Sequence, residues 1–281
     1  MEKWLLISHC QTFGLTNSLN LLAPGIEVEP MGIWGYRDNI AAVSQNLSSY
    51  DRVLVLPDVL QTPGADFSNA HRVDQIPGVL FRAYHPDLCY ASGGNQSLAG
   101  PADSYHSMIA IAAFNRGLTV DDTLSLFNAR SYEACGYMDL WQSERDALVT
   151  SFRSIGIDLS SELRRWAAGS AFMYSINHIR IACLYDIAKA YLTGDGIEVL
   201  DSDVLPPDNL AQGACFPVYP EIGEHLGVEG SYTFKKLDSY RRFTLSDFIS
   251  RSFDLYAGFG VGNVVPDHTV SHRYAALEAL F

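Results

Sequence analysis

A chain of 281 residues with 48% hydrophobic and 18% charged residues is expected to fold as a globule that buries most of its apolar surface. Its net charge of −13 argues against sequence-independent nucleic-acid binding, and no apolar window is long enough to span a bilayer. The N-terminus lacks the features of a secretory signal, and five scattered cysteines form no CxxC pair, so we expect a cytoplasmic protein with free thiols.

The first hundred residues predict short parallel strands that alternate with helices. An apolar run at residues 4–7 is followed by Ser8-His9-Cys10-Gln11 and then by leucines at helix spacing, which indicates a strand, a tight turn and a helix. The next predicted elements are a strand at 27–34, a helix at 39–47, and strands at 53–56 and 79–83. This alternation is typical of βαβ units with right-handed crossovers.

The remainder of the chain predicts mainly helices. Thr119 and Thr244 are candidate N-caps, the second with Asp247 in a capping box. The predicted helices span residues 104–114, 120–127, 137–154, 159–168, 181–192 and 245–256. We therefore expect a single α/β domain over residues 1–281. Its open, mostly parallel sheet, with a flavodoxin- or SGNH-like core at about 1–100, is followed by a mainly helical part at about 101–281.

Cys10 is the first candidate for chemistry, because a neighbouring imidazole and a helix N-terminus both favour the reactive thiolate. His9 is expected to point away from Cys10, since neighbours on a strand face opposite sides. His85 ends its own predicted strand, which a parallel sheet would bring to the same edge, and Asp87 is available to hold its tautomer. A small buried cysteine and a surface turn at His85 remain equally open alternatives.

A second imidazole and two amides are further candidates. Asn177-His178 offers a ring and a side-chain amide that can donate to an oxyanion, and Gln11 offers another amide. Basic pairs occur at Arg164-Arg165, Lys235-Lys236 and Arg241-Arg242, and they indicate either a site for a small anion or solvated surface.

The C-terminal segment Asp267-His268-Thr269-Val270-Ser271-His272 invites comparison with the Asp-x-x-His element of SGNH esterases, with Ser8 as nucleophile. The spacing does not match, because His272 is five residues after Asp267. The histidines also lack a metal-binding spacing on a helix, so we expect no metal.

An ordered set of motifs resembles the WcbI-type polysaccharide biosynthesis family of capsule acetyltransferases. The set comprises Cys10-Gln11 before the first helix, Phe81-Arg82-Ala83-Tyr84-His85-Pro86-Asp87 with Tyr90, Tyr105-His106-Ser107, Gly117-Leu118-Thr119, Phe172-Met173-Tyr174-Ser175-Ile176-Asn177-His178 and Pro217-Val218-Tyr219-Pro220. Two departures occur: the family's Gly-Asn-Cys-Gln reads Ser8-His9-Cys10-Gln11 here, and its Asn-His-Pro reads Asn177-His178-Ile179.

The resemblance implies O-acetyl transfer from acetyl-CoA to a sugar hydroxyl of a capsule or exopolysaccharide precursor. It implies Cys10, His85, His178, Gln11 and Asp87 as the catalytic group. The implied coenzyme A contacts are Gln11, Tyr84, His106 and Asn177. Phosphates require cationic or N–H partners, for which the candidates are the N-terminus of the first helix with either Arg164 and Arg165 or Lys235 and Lys236. An SGNH-like glycan deacetylase that uses Ser8 or Cys10 with His272, and a non-catalytic glycan or nucleotide-sugar binding protein, remain the alternative functions.

Overall fold

A four-stranded parallel sheet organises the N-terminal part of the chain. The computed structural model describes residues 1–94, 96–200 and 202–280. The chain divides into two units. The first unit comprises residues 1–80, 145–168 and 177–210, and the second comprises 81–144, 169–176 and 211–281. The parallel sheet and the helices along it confirm the α/β class expected from the sequence.

The strands follow in chain order as β1 Glu2–Ser8, β2 Ile26–Gly32, β3 Arg52–Val55, β4 Val73–Gln75, β5 Leu88–Cys89, β6 Ala91–Gly93, β7 Gln96–Ser97, β8 His106–Ser107, β9 Thr233–Lys235, β10 Arg242–Thr244 and β11 Val264–Pro266. The first four form the parallel sheet in the order β2-β1-β3-β4. Residues Trp4 to Ile7 are almost fully buried, which explains the continuous apolar run of the central strand β1.

The helices follow as α1 Thr12–Leu22, α2 Ile33–Asp38, α3 Ile40–Asn46, α4 Pro57–Leu60, α5 Met108–Asn115, α6 Val120–Leu124, α7 Ala129–Ala134, α8 Leu140–Arg153, α9 Ser160–Trp166, α10 Ile181–Gly194, α11 Pro220–Leu226, α12 Leu245–Ala257 and α13 Ser271–Glu278. Short 3-10 turns occupy Leu47–Ser49, Asn209–Gln212 and His268–Val270. Among the residues described, no helix is both long and apolar enough to cross a bilayer.

Helix α1 packs closely on α10 in the first unit. A Cβ atom at Gly14 would lie 2.6 Å from Leu184 Cδ1, so the absence of a side chain at this position permits the approach. The contact fixes the direction in which α1 leaves the carboxyl end of β1. It therefore fixes the position of the turn that contains Cys10.

The predicted strand at residues 79–83 is absent, and the fourth strand of the sheet is β4 instead. The backbone N–H and carbonyl of Val79 are both bonded to the side chain of Gln11, and Phe81 N donates to the carbonyl of Ile176. These groups are therefore not free to pair with a neighbouring strand. An apolar run indicated a strand, but a side chain from a distant part of the chain occupies the groups that a strand would use.

The second unit combines helices with short antiparallel strand pairs. The pairs are β5 with β8, β9 with β10, and β11 with β6 and β7. Both predicted N-caps are confirmed, because Thr119 with Asp122 and Thr244 with Asp247 form complete capping boxes. The predicted helices of this unit are present as α5, α6 and α12, whereas α7, α11 and α13 were not predicted. The two- and three-residue strands are too short to leave a periodic pattern.

Candidate functional site

Cys10 lies in the turn between β1 and α1, at the carboxyl end of the parallel sheet. Its side chain is exposed, whereas Ser8 at the end of β1 is buried. Ser8 pairs with Gly32, the last residue of β2, so this edge of the sheet is shared by neighbouring strand ends. Helix N-termini at such an edge attract anionic groups and favour a thiolate.

The His9 imidazole lies beside the Cys10 thiol. The distance from Cys10 Sγ to His9 Nδ1 is 3.6 Å, and the distance from Sγ to the carbonyl oxygen of Asn177 is 3.7 Å. The expectation that His9 faces away from Cys10 was wrong. Both residues follow the end of β1, so the alternation of side chains along a strand does not apply to them.

The His9 ring is held in its neutral form. Burial and the charge of the nearby His178 lower the pKa of His9 to about 4, while Asp58 raises it. The backbone N–H of Gln11 lies 3.5 Å from His9 Nδ1, which places the ring proton on Nε2. The lone pair of His9 Nδ1 therefore faces both the Gln11 N–H and the Cys10 thiol.

Gly78 provides the space for the His9 ring. A Cβ atom at this position would lie 2.4 Å from His9 Nε2 and 3.2 Å from a methyl carbon of Leu56. Only a residue without a side chain fits between these two groups. The segment after β4 thus holds the ring from the side opposite Cys10 Sγ.

Gln11 is a positioning residue in this structure. Its Nε2 donates to the carbonyls of Val79 and Asn177, both at 2.8 Å, and its Oε1 accepts from Val79 N at 3.0 Å. Both amide hydrogens are thus committed to backbone oxygens. The expected donation from Gln11 to an oxyanion is not supported, and the residue instead ties the turn to two other segments of the first unit.

Asn177 approaches the turn through its backbone. Its carbonyl oxygen contacts Cys10 and accepts from Gln11, so the main chain at this position borders the thiol. His178 follows directly, lies buried, and acts electrostatically on His9. The first unit therefore brings together four of the predicted residues, Cys10, Gln11, Asn177 and His178, and adds His9.

His85 belongs to the second unit, in a turn rather than at the end of a sheet strand. Its backbone N donates to Arg82 O, and its ring Nε2 lies 2.9 Å from the carbonyl oxygen of Phe216. The residue is only 3% exposed, and burial lowers its pKa to about 4. The inference that a shared parallel sheet would bring the His85 and Cys10 strand ends to one edge was therefore wrong.

Asp87 does not orient His85. Its Oδ1 accepts from Ile109 N and Tyr137 OH, both at 3.0 Å, and its Oδ2 accepts from Tyr219 OH at 2.8 Å. Burial raises the pKa of Asp87, and these donors with Ser107 act in the opposite direction. The carboxyl group anchors the N-terminus of α5, which explains why an acidic residue is fully buried here.

Tyr84 and His106, the other residues implied for coenzyme A, are both buried in the second unit. Tyr84 packs its ring against Trp141 and Phe172, with ring centroids 5.6 and 5.2 Å apart. His106 Nδ1 lies 2.9 Å from Tyr256 OH, and its Nε2 lies 3.2 Å from the carbonyl oxygen of Leu98. These contacts give both side chains a structural role.

Two of the basic residues considered for phosphate binding, Arg165 and Lys235, are engaged in other contacts. Arg165 pairs with Asp186 at 2.8 Å and with Glu162 at 4.0 Å, at the edge of a groove of about 840 Å³. Lys235 Nζ donates to the carbonyls of residues 212 and 213. The groove at Arg165 is lined by four carboxylate side chains, those of Asp158, Glu162, Asp186 and Asp203. Arg164 is exposed, but Arg165 faces a surface that repels phosphate.

The buried ring of His85 makes stability dependent on pH. The unfolded chain protonates this histidine below its ordinary pKa of 6.5, but the folded protein does so only near pH 4. Its contribution to folding is therefore complete above pH 6.5 and is lost as the pH falls towards 4. In urea unfolding, the free energy of unfolding should fall between pH 6.5 and pH 4 by about 3 kcal/mol less in His85→Gln than in the native protein.

The matched control for this measurement is His225→Gln, which changes an exposed histidine on α11 and should keep the native pH dependence. The glutamine at position 85 retains a donor for the carbonyl of Phe216, so the comparison isolates the titrating ring. Identical pH profiles for the native protein and His85→Gln would contradict the assignment.

The part of the chain that the structure describes contains no cluster of candidate metal ligands. No group of three or more histidine, cysteine or acidic side chains is arranged to hold an ion there. Asp267 caps the 3-10 turn His268–Val270 through Thr269 N, and His272 is exposed on α13. The Asp267–His272 segment therefore has a local structural use.

Comparison with known proteins places the chain among polysaccharide biosynthesis enzymes. A family model described as polysaccharide biosynthesis enzyme WcbI matches residues 3–199. No curated protein matches the chain. A solved structure matches with a TM-score of 0.63 and 16% identity, covering 99% of this chain and 95% of that chain. It is described as WcbI, a novel polysaccharide biosynthesis enzyme, in a native form without a disulfide bond between coenzyme A and one of its cysteines. At this identity the likeness concerns the fold.

Proposed function

Because the chain belongs to the family of the polysaccharide biosynthesis enzyme WcbI, we propose that it transfers an acetyl group from acetyl-CoA to a sugar hydroxyl. The acceptor is a capsular or exopolysaccharide precursor. The observation that carries the proposal is the exposed Cys10 thiol, which faces a neutral imidazole nitrogen at the N-terminus of α1. A thiol so placed can exchange an acyl group with a thioester.

The likeness to a protein whose description pairs coenzyme A with a cysteine supports the choice of donor. The residues of the first unit fit such a donor, because the thiol is exposed and the first-turn N–H groups of α1 favour an anionic partner. Acetyl-CoA supplies the acetyl group already activated as a thioester. The protein then has to position this group and move one proton in each step.

In the covalent route, Cys10 attacks the thioester carbonyl as His9 Nδ1 takes the thiol proton. The carbon–sulfur bond to coenzyme A breaks, and His9 returns the proton to the departing sulfur. His9 then takes the proton of the sugar hydroxyl while its oxygen attacks acetyl-Cys10, and Cys10 recovers that proton as a thiol. Atoms and charge balance without any further reactant.

In the direct route, an imidazole deprotonates the sugar hydroxyl, which attacks the thioester without an acetyl-Cys10 intermediate. His9 contacts the thiol and His178 acts electrostatically on His9, so these two rings are the candidates, and Cys10 would then only border the thioester. General-base assistance contributes about 10²–10⁴-fold, so His9→Asn should lose a factor in this range in the covalent route, and in the direct route if His9 rather than His178 is the base. The asparagine also restores the residue that the family pattern has at this place.

The burial of Ser8 weakens the deacetylase alternative in which Ser8 is the nucleophile. Ser8, the serine considered as a hydrolytic nucleophile, is 2% exposed and lies within β1. A buried serine in a paired strand cannot reach an ester substrate. Cys10, by contrast, has an exposed thiol that a substrate can reach.

The test is incubation of the protein with acetyl-CoA, followed by intact-mass measurement and by assay of acetyl transfer to sugar acceptors. The covalent route predicts one added acetyl group, which is lost in Cys10→Ala but retained in Cys215→Ala, the control at a partly exposed cysteine. An active Cys10→Ala protein would select the direct route. Failure of the native protein to bind or consume acetyl-CoA would refute the acyltransferase function.

A further inference from the structure

Two arginines of the second unit converge at the start of α13. Arg82 Nη2 donates to Thr269 Oγ1 at 3.1 Å. Thr269 belongs to the 3-10 turn His268–Val270, which leads directly into α13, and Arg273 lies in the first turn of that helix. The guanidinium of Arg82 is thus bound four residues before Arg273.

Both guanidinium groups carry donors that the rest of the described chain leaves unused. Arg273 Nε and Nη2 and Arg82 Nε are buried and have no hydrogen-bond partner among the residues described. Neither arginine forms an ion pair within 4.0 Å in that same part of the chain. Buried N–H donors without partners are rare in folded proteins, and on a charged group they are costly.

The neighbouring carboxylates are turned towards backbone donors. Glu144 Oε2 accepts from the backbone N–H of Arg82 at 2.7 Å. Asp267 accepts from the backbone N–H groups of Tyr90 and Thr269, both at 3.0 Å. Glu144 acts on Arg273 through its charge, but neither carboxylate meets a guanidinium directly.

Arg82, Arg273 and the N-terminal end of α13 thus bring positive charge to one place. Burial lowers the pKa of Arg273, and the like charge of Arg82 lowers it further. The N-terminal end of a helix also disfavours a cation in its first turn. The same three features stabilise a bound anion with several charge-assisted hydrogen bonds, and arginine forks suit the geometry of phosphate oxygens.

We propose that Arg82 and Arg273 form a binding site for a phosphoryl group. The group comes either from the phosphates of coenzyme A or from the diphosphate of a nucleotide-activated sugar. The site stands independently of acyl transfer, and only its assignment to coenzyme A rests on the proposed function. Arg82 lies within the stretch matched by the family model and Arg273 lies outside it, so that match does not cover the pair of arginines.

Calorimetry at low salt tests the site with inorganic pyrophosphate, coenzyme A, 3′-dephospho-coenzyme A and uridine diphosphate. We expect pyrophosphate to bind the native protein, and Arg82→Gln and Arg273→Gln each to weaken binding by about tenfold or more. Arg241→Gln, which removes the same charge from an exposed position, should leave the affinity within about twofold. Tighter binding of coenzyme A than of its dephospho form would assign the site to the donor, and preference for uridine diphosphate would assign it to the acceptor.

Thermal unfolding without ligand separates this site from a structural ion pair. Removal of an unpaired, desolvated cation should leave the midpoint of Arg273→Gln unchanged or raised. A lowered midpoint would show that Arg273 serves the fold, and would overturn the proposal. Equal loss of affinity in Arg241→Gln, or no binding of any of the four probes, would also overturn it. Pyrophosphate binding by a protein that neither binds nor consumes acetyl-CoA would retain the site and refute only the acyltransferase function.

Discussion

Asp87→Ala is expected to lower the free energy of unfolding by about 4 kcal/mol or more, because several buried donors lose their shared acceptor at once. The carboxylate accepts from Ile109 N, Tyr137 OH and Tyr219 OH, and Ser107 adds a further bond. All of these donor residues are buried in the native protein. The loss should appear in urea unfolding with little change in the slope.

Asp87→Asn is the matched variant for this measurement. Its amide oxygen still accepts from Ile109 N and Tyr137 OH, and the Tyr219 hydroxyl can rotate to accept from the new amide. We expect a loss of only about 1–2 kcal/mol, with acyl transfer preserved. A catalytic Asp87 would give the opposite pattern: Asp87→Asn would abolish activity at nearly native stability, and the structural role assigned here would be refuted.

The beginning of the fold was predictable because its determinants are local. The apolar run of β1, the polar turn and the leucines of α1 follow one another along the chain, and the structure has β1 at Glu2–Ser8 and α1 at Thr12–Leu22. The capping boxes at Thr119 and Thr244 are equally local. Elements of this kind are fixed by periodicity and by side chains within one helical turn.

The residues after β4 were not predictable in this way. Gln11 and Val79 are 68 positions apart. The two hydrogen bonds between the Gln11 side chain and the backbone N–H and carbonyl of Val79 nevertheless prevent residue 79 from pairing in the sheet. No feature of the apolar run at 79–83 indicates that contact. A strand prediction from composition fails wherever a distant side chain takes over the backbone groups.

The candidate site shows the same division between local and distant determinants. Cys10 was found because strand, turn and helix follow directly in the sequence. His85 was predicted as its imidazole partner because His9 and Cys10 were treated as strand residues whose side chains alternate, although the strand ends before them. The end of β1 at Ser8 is the missing information, and a turn directly after a strand is the signal that would have pointed to His9. Arg82 and Arg273 gave no signal, because 191 positions of sequence separate them.

Gln11→Glu tests the turn that holds Cys10, and we expect it to lower the free energy of unfolding by about 4 kcal/mol near neutral pH. The substitution keeps the shape of the side chain but replaces both amide hydrogens with a carboxylate oxygen. That oxygen faces the carbonyls of Val79 and Asn177 at the positions where the amide nitrogen now lies 2.8 Å from each. Two acceptors lose their donor, and like partial charges meet in a buried place.

The loss should diminish as the pH falls, which distinguishes it from a simple packing defect. Burial against carbonyl oxygens raises the pKa of the introduced carboxyl above the value of about 4.3 that it has in the unfolded chain. The folded variant therefore binds its proton at a higher pH than the unfolded variant does, and its stability relative to the native protein rises on acidification. Gln11→Met also removes the three bonds but carries no titrating group, so its loss of stability should stay constant with pH.

The rate of Cys10 alkylation, followed by intact mass, reports whether the turn is preserved in each variant. Native stability and native alkylation in Gln11→Glu would show that the amide neither holds the turn nor positions the thiol.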